Sequence, residues 1–245
     1  RDLLKEYRRQ RQMSIRDSQD SISPIIKALN LPNLYLHKYS GEVSINDQMS
    51  LNVLSIIDED KWVKPSNAEK INIGLYHGAI SGITTDTGYQ LESDVHLVDV
   101  YDGHDYVFLG DIHKTNQAVD KEGRVRYPGS TVSQGFAETD DKGFLIWDIR
   151  SKTDFDCTHY PIKNPKPYIS ITLEENGELP ELQIASGARL RLIADKNTSL
   201  DKIKKATDIL KSKFSPESVT FINKAVINKN SEQSSIISHD ENLRD

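Results

Sequence analysis

Ile71-Asn-Ile-Gly-Leu-Tyr76-His77-Gly78, followed by Asp105-Tyr-Val-Phe-Leu109-Gly110-Asp111-Ile112-His113-Lys114 and Arg126-Tyr127-Pro128-Gly129-Ser130, organises the rest of the chain. In each piece a short apolar, β-favouring run ends abruptly in Gly and a polar residue. That is the pattern of buried strands that deliver side chains to one edge of a sheet. Two of the deliveries are metal-ligand types: His77 after the first strand, and Asp111 with His113 after the second. Their i, i+2 spacing on an extended turn aims Asp111 and His113 at related but distinct positions. This suits two ions ~4 Å apart better than one closed tetrahedral site. Imidazole with carboxylate favours manganese, iron or zinc over calcium. A polar loop after a strand would carry the same residues, so the motif takes its meaning from its surroundings.

Those surroundings carry a family resemblance. Tyr76-His77-Gly78, Leu109-Gly110-Asp111-Ile112-His113-Lys114, Tyr127-Pro128-Gly129-Ser130 and then Gly143-Phe-Leu-Ile-Trp147-Asp148 resemble the later half of the calcineurin-like metallophosphoesterase domain of SbcD-type DNA nucleases. The phage and viral versions, which partner an SbcC-type ATPase, look most similar. The resemblance runs from about Asp20 to the C-terminus. It implies an α+β fold: the later half of a four-layer α/β/β/α sandwich, followed by a small α+β capping domain. It maps His77, Asp111 and His113 onto metal ligands, His77 and Asp111 for one ion and His113 for the other. Asp111 departs from the family pattern, replacing an imidazole nitrogen with a hard oxygen. The family's upstream motifs, which supply the bridging carboxylate, an Asn ligand and the acid histidine, have no match in these residues, so the catalytic group itself is unassigned. The expectation is therefore a fragment, a divergent product, or a protein whose other half is supplied separately.

The function implied is a DNA exonuclease or endonuclease subunit. Two manganese ions, with magnesium as the alternative, would serve phosphodiester hydrolysis in end processing, recombination or replication. DNA and an SbcC-like ATPase are the implied partners, and a second copy of the chain is a further candidate. The competing reading is a non-catalytic scaffold that binds DNA or the ATPase after decay of the metal site. Arg124 and Arg126 alternate onto one face of the strand leading to Tyr127, where they can hold a phosphate or simply pair on the surface. With Tyr127 and Ser130 they form the expected substrate-binding set. Pro128-Gly129-Ser130 allows a tight backbone approach beside the metal loops.

Composition bounds these readings. The 245 residues allow one large or two small domains, and 28% of them are charged. No apolar run approaches the ~20 residues that span a bilayer, and no signal-peptide pattern is present. The single cysteine, Cys157, forms no internal disulfide and fits a reducing cytoplasm, that of the host if the chain is viral. A formal charge of −6 excludes a protein that coats nucleic acid by net charge. It leaves a nuclease open, because metal ions supply positive charge at the scissile phosphate.

Five segments follow along the chain. Residues 1–19 form a basic N-terminal segment containing Arg8-Arg9-Gln10-Arg11. Residues 20–162 form the phosphoesterase portion. A helix capped by Ser23 opens it, with Pro24 first inside and Leu31-Pro32-Asn33 as its stop. Leu34 to Tyr39 and Leu51 to Ile57 read as strands, with turns at Ser40-Gly41 and Asn46-Asp47. Gly143 to Ile149 and Asp156 to Ile162 form a hairpin expected to close the sheet. His37, His96 and His104 are expected to be structural. Residues 163–167 (Lys-Asn-Pro-Lys-Pro) are a linker. Residues 168–227 give strand, strand, helix, strand, with Ser199 capping a helix whose inner face is Leu200, Ile203, Thr207, Leu210 and Phe214. Lysines on its other face are solvated or track phosphates. Residues 228–245 form a polar tail.

Overall fold

The computed structural model describes residues 22–91, 101–195 and 197–223. The basic segment 1–19, His96 and the tail 228–245 lie outside them.

A mixed six-stranded sheet organises the first part. Its strands are β1 (Gly41–Ser44), β2 (Met49–Leu54), β3 (Ile71–His77), β4 (Tyr106–Gly110), β5 (Gln117–Ala118) and β6 (Val125–Tyr127), in the order β1-β2-β3-β4-β6-β5. The inner four, β2, β3, β4 and β6, run parallel, and β1 and β5 pair antiparallel at the two edges. Strand β4, Tyr-Val-Phe-Leu-Gly, is apolar almost throughout because a central parallel strand is covered on both faces. On one face Leu54, Tyr76, Val107, Leu109, Val125 and Tyr127 join Ile80, Ile83 and Ile112 in a core, with Trp62 and Tyr101 packed against it.

The other face is covered by the hairpin β7 (Gly143–Ile149) and β8 (Phe155–Pro161). The expected hairpin forms, but as a separate two-stranded sheet, so it does not extend the six-stranded one. Its alternation explains this. Leu145, Trp147, Ile149, Phe155 and Cys157 fall on the less exposed side, giving an apolar face that stacks rather than an edge that pairs. Trp147 lies 4.9 Å from the Phe108 ring, Phe155 lies 5.2 Å edge-on to Tyr106, and the Tyr106 hydroxyl donates to Ser151 O at 2.6 Å.

Helix α1 (Ile22–Leu29) forms, but it begins before the expected Ser23 cap: Ser23 is its second residue and Pro24 its third, and Asn30 ends it at φ 43. It buries no residue. The strand expected over Leu34 to Tyr39 does not form. Its apolar side chains Leu34, Tyr35, Leu36 and Tyr39 are exposed, and side-chain bonds replace a ladder: Ser55 Oγ to Lys38 O at 2.9 Å, and Ser40 N to Asp58 Oδ1 at 3.0 Å. The strand begins instead at Gly41, where Val43 registers with Leu51.

After residues 163–167 come β9 (Tyr168–Thr172), β10 (Arg189–Ala194), helix α2 (Leu200–Phe214) and β11 (Ser218–Asn223), in the order read from sequence. The three strands are parallel, with β10 central. Leu190, Leu192 and Leu210 are fully buried, each contributing ~1.5–3 kcal/mol by removal from water. This core shares no residue with the first. Two details of α2 differ from expectation. Leu200 is 80% exposed and Ala206 is buried in its place, because the face turns toward Ile203, Ala206 and Leu210. Ser199 has N-cap backbone angles but makes no side-chain capping bond. Both parts together make an α+β protein with mixed sheets and few helices.

Candidate functional site

In parallel sheets the loops beyond the carboxyl ends of the strands collect on one edge, where ligands bind. Here β3, β4 and β6 run in register, His77 opposite Gly110, so the residues after all three emerge side by side. His77 Nε2 lies 3.9 Å from Asp111 Oδ1, and both side chains are well exposed. Two ligands each ~2.0–2.2 Å from an ion are separated by no more than about 4.4 Å, so this pair fits a shared metal. Two further features hold it. Gly110 has no side chain where His77 passes: a Cβ there would sit 2.5 Å from His77 Nδ1. Asp111 takes φ 87, a left-handed conformation that a residue with a Cβ adopts only at a cost of ~1–2 kcal/mol.

His113 is turned the other way. Its Nδ1 lies 2.8 Å from Glu138 Oε1, so it is paired separately from His77 and Asp111. Among the described residues no group of three or more His, Cys, Asp or Glu is arranged to hold a metal ion. The structure thus brings two of the three expected ligands together and sets the third two residues further along the same loop.

The loop backbone is fixed from below. Lys142 Nζ, 1% exposed, reaches His113 O at 2.6 Å and Asp86 Oδ2 at 2.5 Å. Ser130 N donates to His113 O at 3.3 Å. Gly129 takes φ 90, and a Cβ on it would lie 2.9 Å from His113 O, so the expected close approach of Pro128-Gly129-Ser130 is present. Lys114 Nζ donates to Thr84 Oγ1. Glu138 titrates below its ordinary range: burial pushes it up, but the bonds from His113 and Gln134 N and the nearby charges of His113 and Lys142 outweigh that.

Of the expected substrate-binding residues, Tyr127 lies inside the core. It is fully buried, burial drives its hydroxyl pKa well up, and it donates to Gly78 O at 2.7 Å. It therefore ties the β6 end to the His77 loop. Ser130 is 7% exposed, and its hydroxyl finds no partner among the described residues. Arg126 is held by Asn116 Oδ1 at 2.6 Å and Gly123 O at 3.3 Å, while Arg124 Nε stands 3.9 Å from Asp120. Both half-buried arginines share the β6 face with Phe108, the face turned toward the β7–β8 hairpin. His104, expected to be structural, packs its ring 3.3 Å from the Cβ position of Gly74, with burial lowering its pKa.

Sequence reasoning missed Glu138, Lys142 and Asp86. The available signal was Glu138 and Lys142, four residues apart in a polar stretch just before Gly143, which reads as solvent-exposed loop. No protein-family profile matches the chain. An uncharacterized protein of Acanthamoeba polyphaga mimivirus is 26% identical over 200 residues, covering 77% of this chain and 14% of that protein. The chain thus spans about 14% of the length of the curated relative it matches.

Proposed function

We propose that this chain is the later part of a metal-dependent phosphodiesterase acting on DNA, a portion of a four-layer metallophosphoesterase sandwich with a capping unit after residue 167. The observation that carries this is the pair His77 and Asp111, 3.9 Å apart at the carboxyl edge of two adjacent parallel strands. His77 and Asp111 would hold one manganese or magnesium ion, and His113 a second. When bound, such ions acidify a water to make hydroxide near neutral pH and neutralise charge on the phosphate. The chain's own part is to orient these ligands: Gly110 admits His77, the Asp111 backbone turns its carboxylate outward, and Lys142 fixes the His113 carbonyl. A complete centre would need further ligands, which matches the missing bridging carboxylate, Asn and acid histidine of the resemblance. DNA and an SbcC-like ATPase are the partners this reading calls for. Among the described residues, no helix is long and apolar enough to cross a membrane.

The lack of a three-residue metal cluster among the described residues favours a second reading, a DNA- or ATPase-binding scaffold without catalysis. Hydrolysis of end-labelled duplex DNA in manganese separates the two. Cleavage by the chain that disappears in both His77→Ala and His113→Ala supports the phosphodiesterase. Binding of the duplex with no cleavage, unchanged in both variants, supports the scaffold.

A further inference from the structure

Between β6 and β7 the chain makes four distinct attachments within ten residues. Ser133 Oγ accepts from Asn164 Nδ2 at 2.8 Å. Phe136 meets Tyr168 edge-on at 5.0 Å, with the Arg191 guanidinium 4.0 Å over its ring. Glu138 meets His113, and Lys142 meets Asp86 and the His113 carbonyl. Glu138 is central. One oxygen faces His113 Nδ1 at 2.8 Å, and the other accepts Gln134 N at 2.8 Å and stands 3.9 Å from Lys142 Nζ. An ionised carboxylate only accepts hydrogen bonds, so the shared proton belongs to His113 Nδ1. In a neutral imidazole, a proton on Nδ1 leaves the lone pair on Nε2.

We propose that Glu138 is a positioning residue that holds His113 in its Nδ1–H tautomer, presenting Nε2 as a free ligand at the strand edge. The proposal rests on the reading of His113 as a metal ligand, given above. A carboxylate behind a ligating histidine fixes the ring and raises its basicity, and losing such a partner typically lowers metal affinity ~10–100-fold. Phe136, two residues earlier, is clamped by Tyr168 and Arg191 of strands β9 and β10, so the segment carrying Glu138 is also tethered to the C-terminal sheet.

The tautomer can be read without metal. Nitrogen-15 spectra of the histidine rings in the full chain, at pH ~8 and so above the ordinary His value of ~6.5, distinguish the two forms. His113 is expected as the Nδ1–H form, moving toward Nε2–H in Glu138→Ala. The volume-conserving Glu138→Leu, which also lacks an acceptor, should do the same, with manganese affinity falling ~10–100-fold in each. A wild-type His113 in the Nε2–H form, or a tautomer unchanged in both variants, overturns the proposal. If the tautomer moves as expected while manganese fails to broaden the His113 resonances, the positioning role stands and the two-metal reading falls.

Discussion

Replacing Lys142 with methionine tests how the His113 loop is held. The ammonium is 1% exposed and faces three oxygens: Asp86 Oδ2 at 2.5 Å, His113 O at 2.6 Å and Glu138 Oε2 at 3.9 Å. Asp86 is itself only 7% exposed. Removing one partner of a buried pair leaves an uncompensated charge, at a cost of ~3–5 kcal/mol. The stranded His113 carbonyl belongs to the same network, so its ~1–3 kcal/mol overlaps with that figure and does not simply add. Since domains of this kind have ~5–15 kcal/mol in all, Lys142→Met should lower the urea midpoint severely. Adding Asp86→Asn removes the orphaned charge, and the double variant should cost less than the sum of the singles by ~0.5–3 kcal/mol. A Lys142→Met loss under ~1 kcal/mol, or strictly additive singles, would refute the buried pair as the anchor of the loop.

Three further outcomes are expected. Because Asp111 sits at φ 87, Asp111→Gly should be more stable than Asp111→Ala by ~1 kcal/mol in thermal or urea unfolding, reversing the usual order of Ala over Gly. Gly110→Ala should leave stability within ~1 kcal/mol, since the nearest atoms to its Cβ belong to the movable His77 ring, yet weaken manganese binding measurably by calorimetry. Glu138 has a folded pKa below its ordinary 4.5, so the folded state favours its charged form. Its contribution is present above pH 4.5 and lost as pH falls through the folded value. Unfolding curves across the acid range should therefore show a shallower decline in Glu138→Leu than in the wild type.

Much of this arrangement was legible in the residues because the decisive strands are short, apolar and closed by glycine. Ile71–His77 and Tyr106–Gly110 gave their positions through that pattern, and the parallel register between them then followed from the structure. Helix α2 was legible from its three- and four-residue spacing, although that spacing could not show that Leu200 would face solvent and Ala206 the core. Leu34 to Tyr39 misled because an apolar run between turn residues forms a strand only where a ladder partner exists, and here Ser40, Ser55 and Asp58 bond the backbone instead. The support of the candidate site was hidden for a related reason. Asp86, Glu138 and Lys142 are charged residues in polar stretches, where local sequence points to solvent. Only contacts 25 to 56 residues apart bury them around His113.

Metal binding at the strand edge is tested by a calorimetric titration of manganese into the chain near neutral pH, alongside His77→Ala, Asp111→Ala and His113→Ala. Saturable binding is expected, weakened at least tenfold by His77→Ala and by Asp111→Ala, with His113→Ala removing a separate binding event. Absence of saturable binding, or binding indifferent to all three substitutions, would contradict a metal site built on His77, Asp111 and His113.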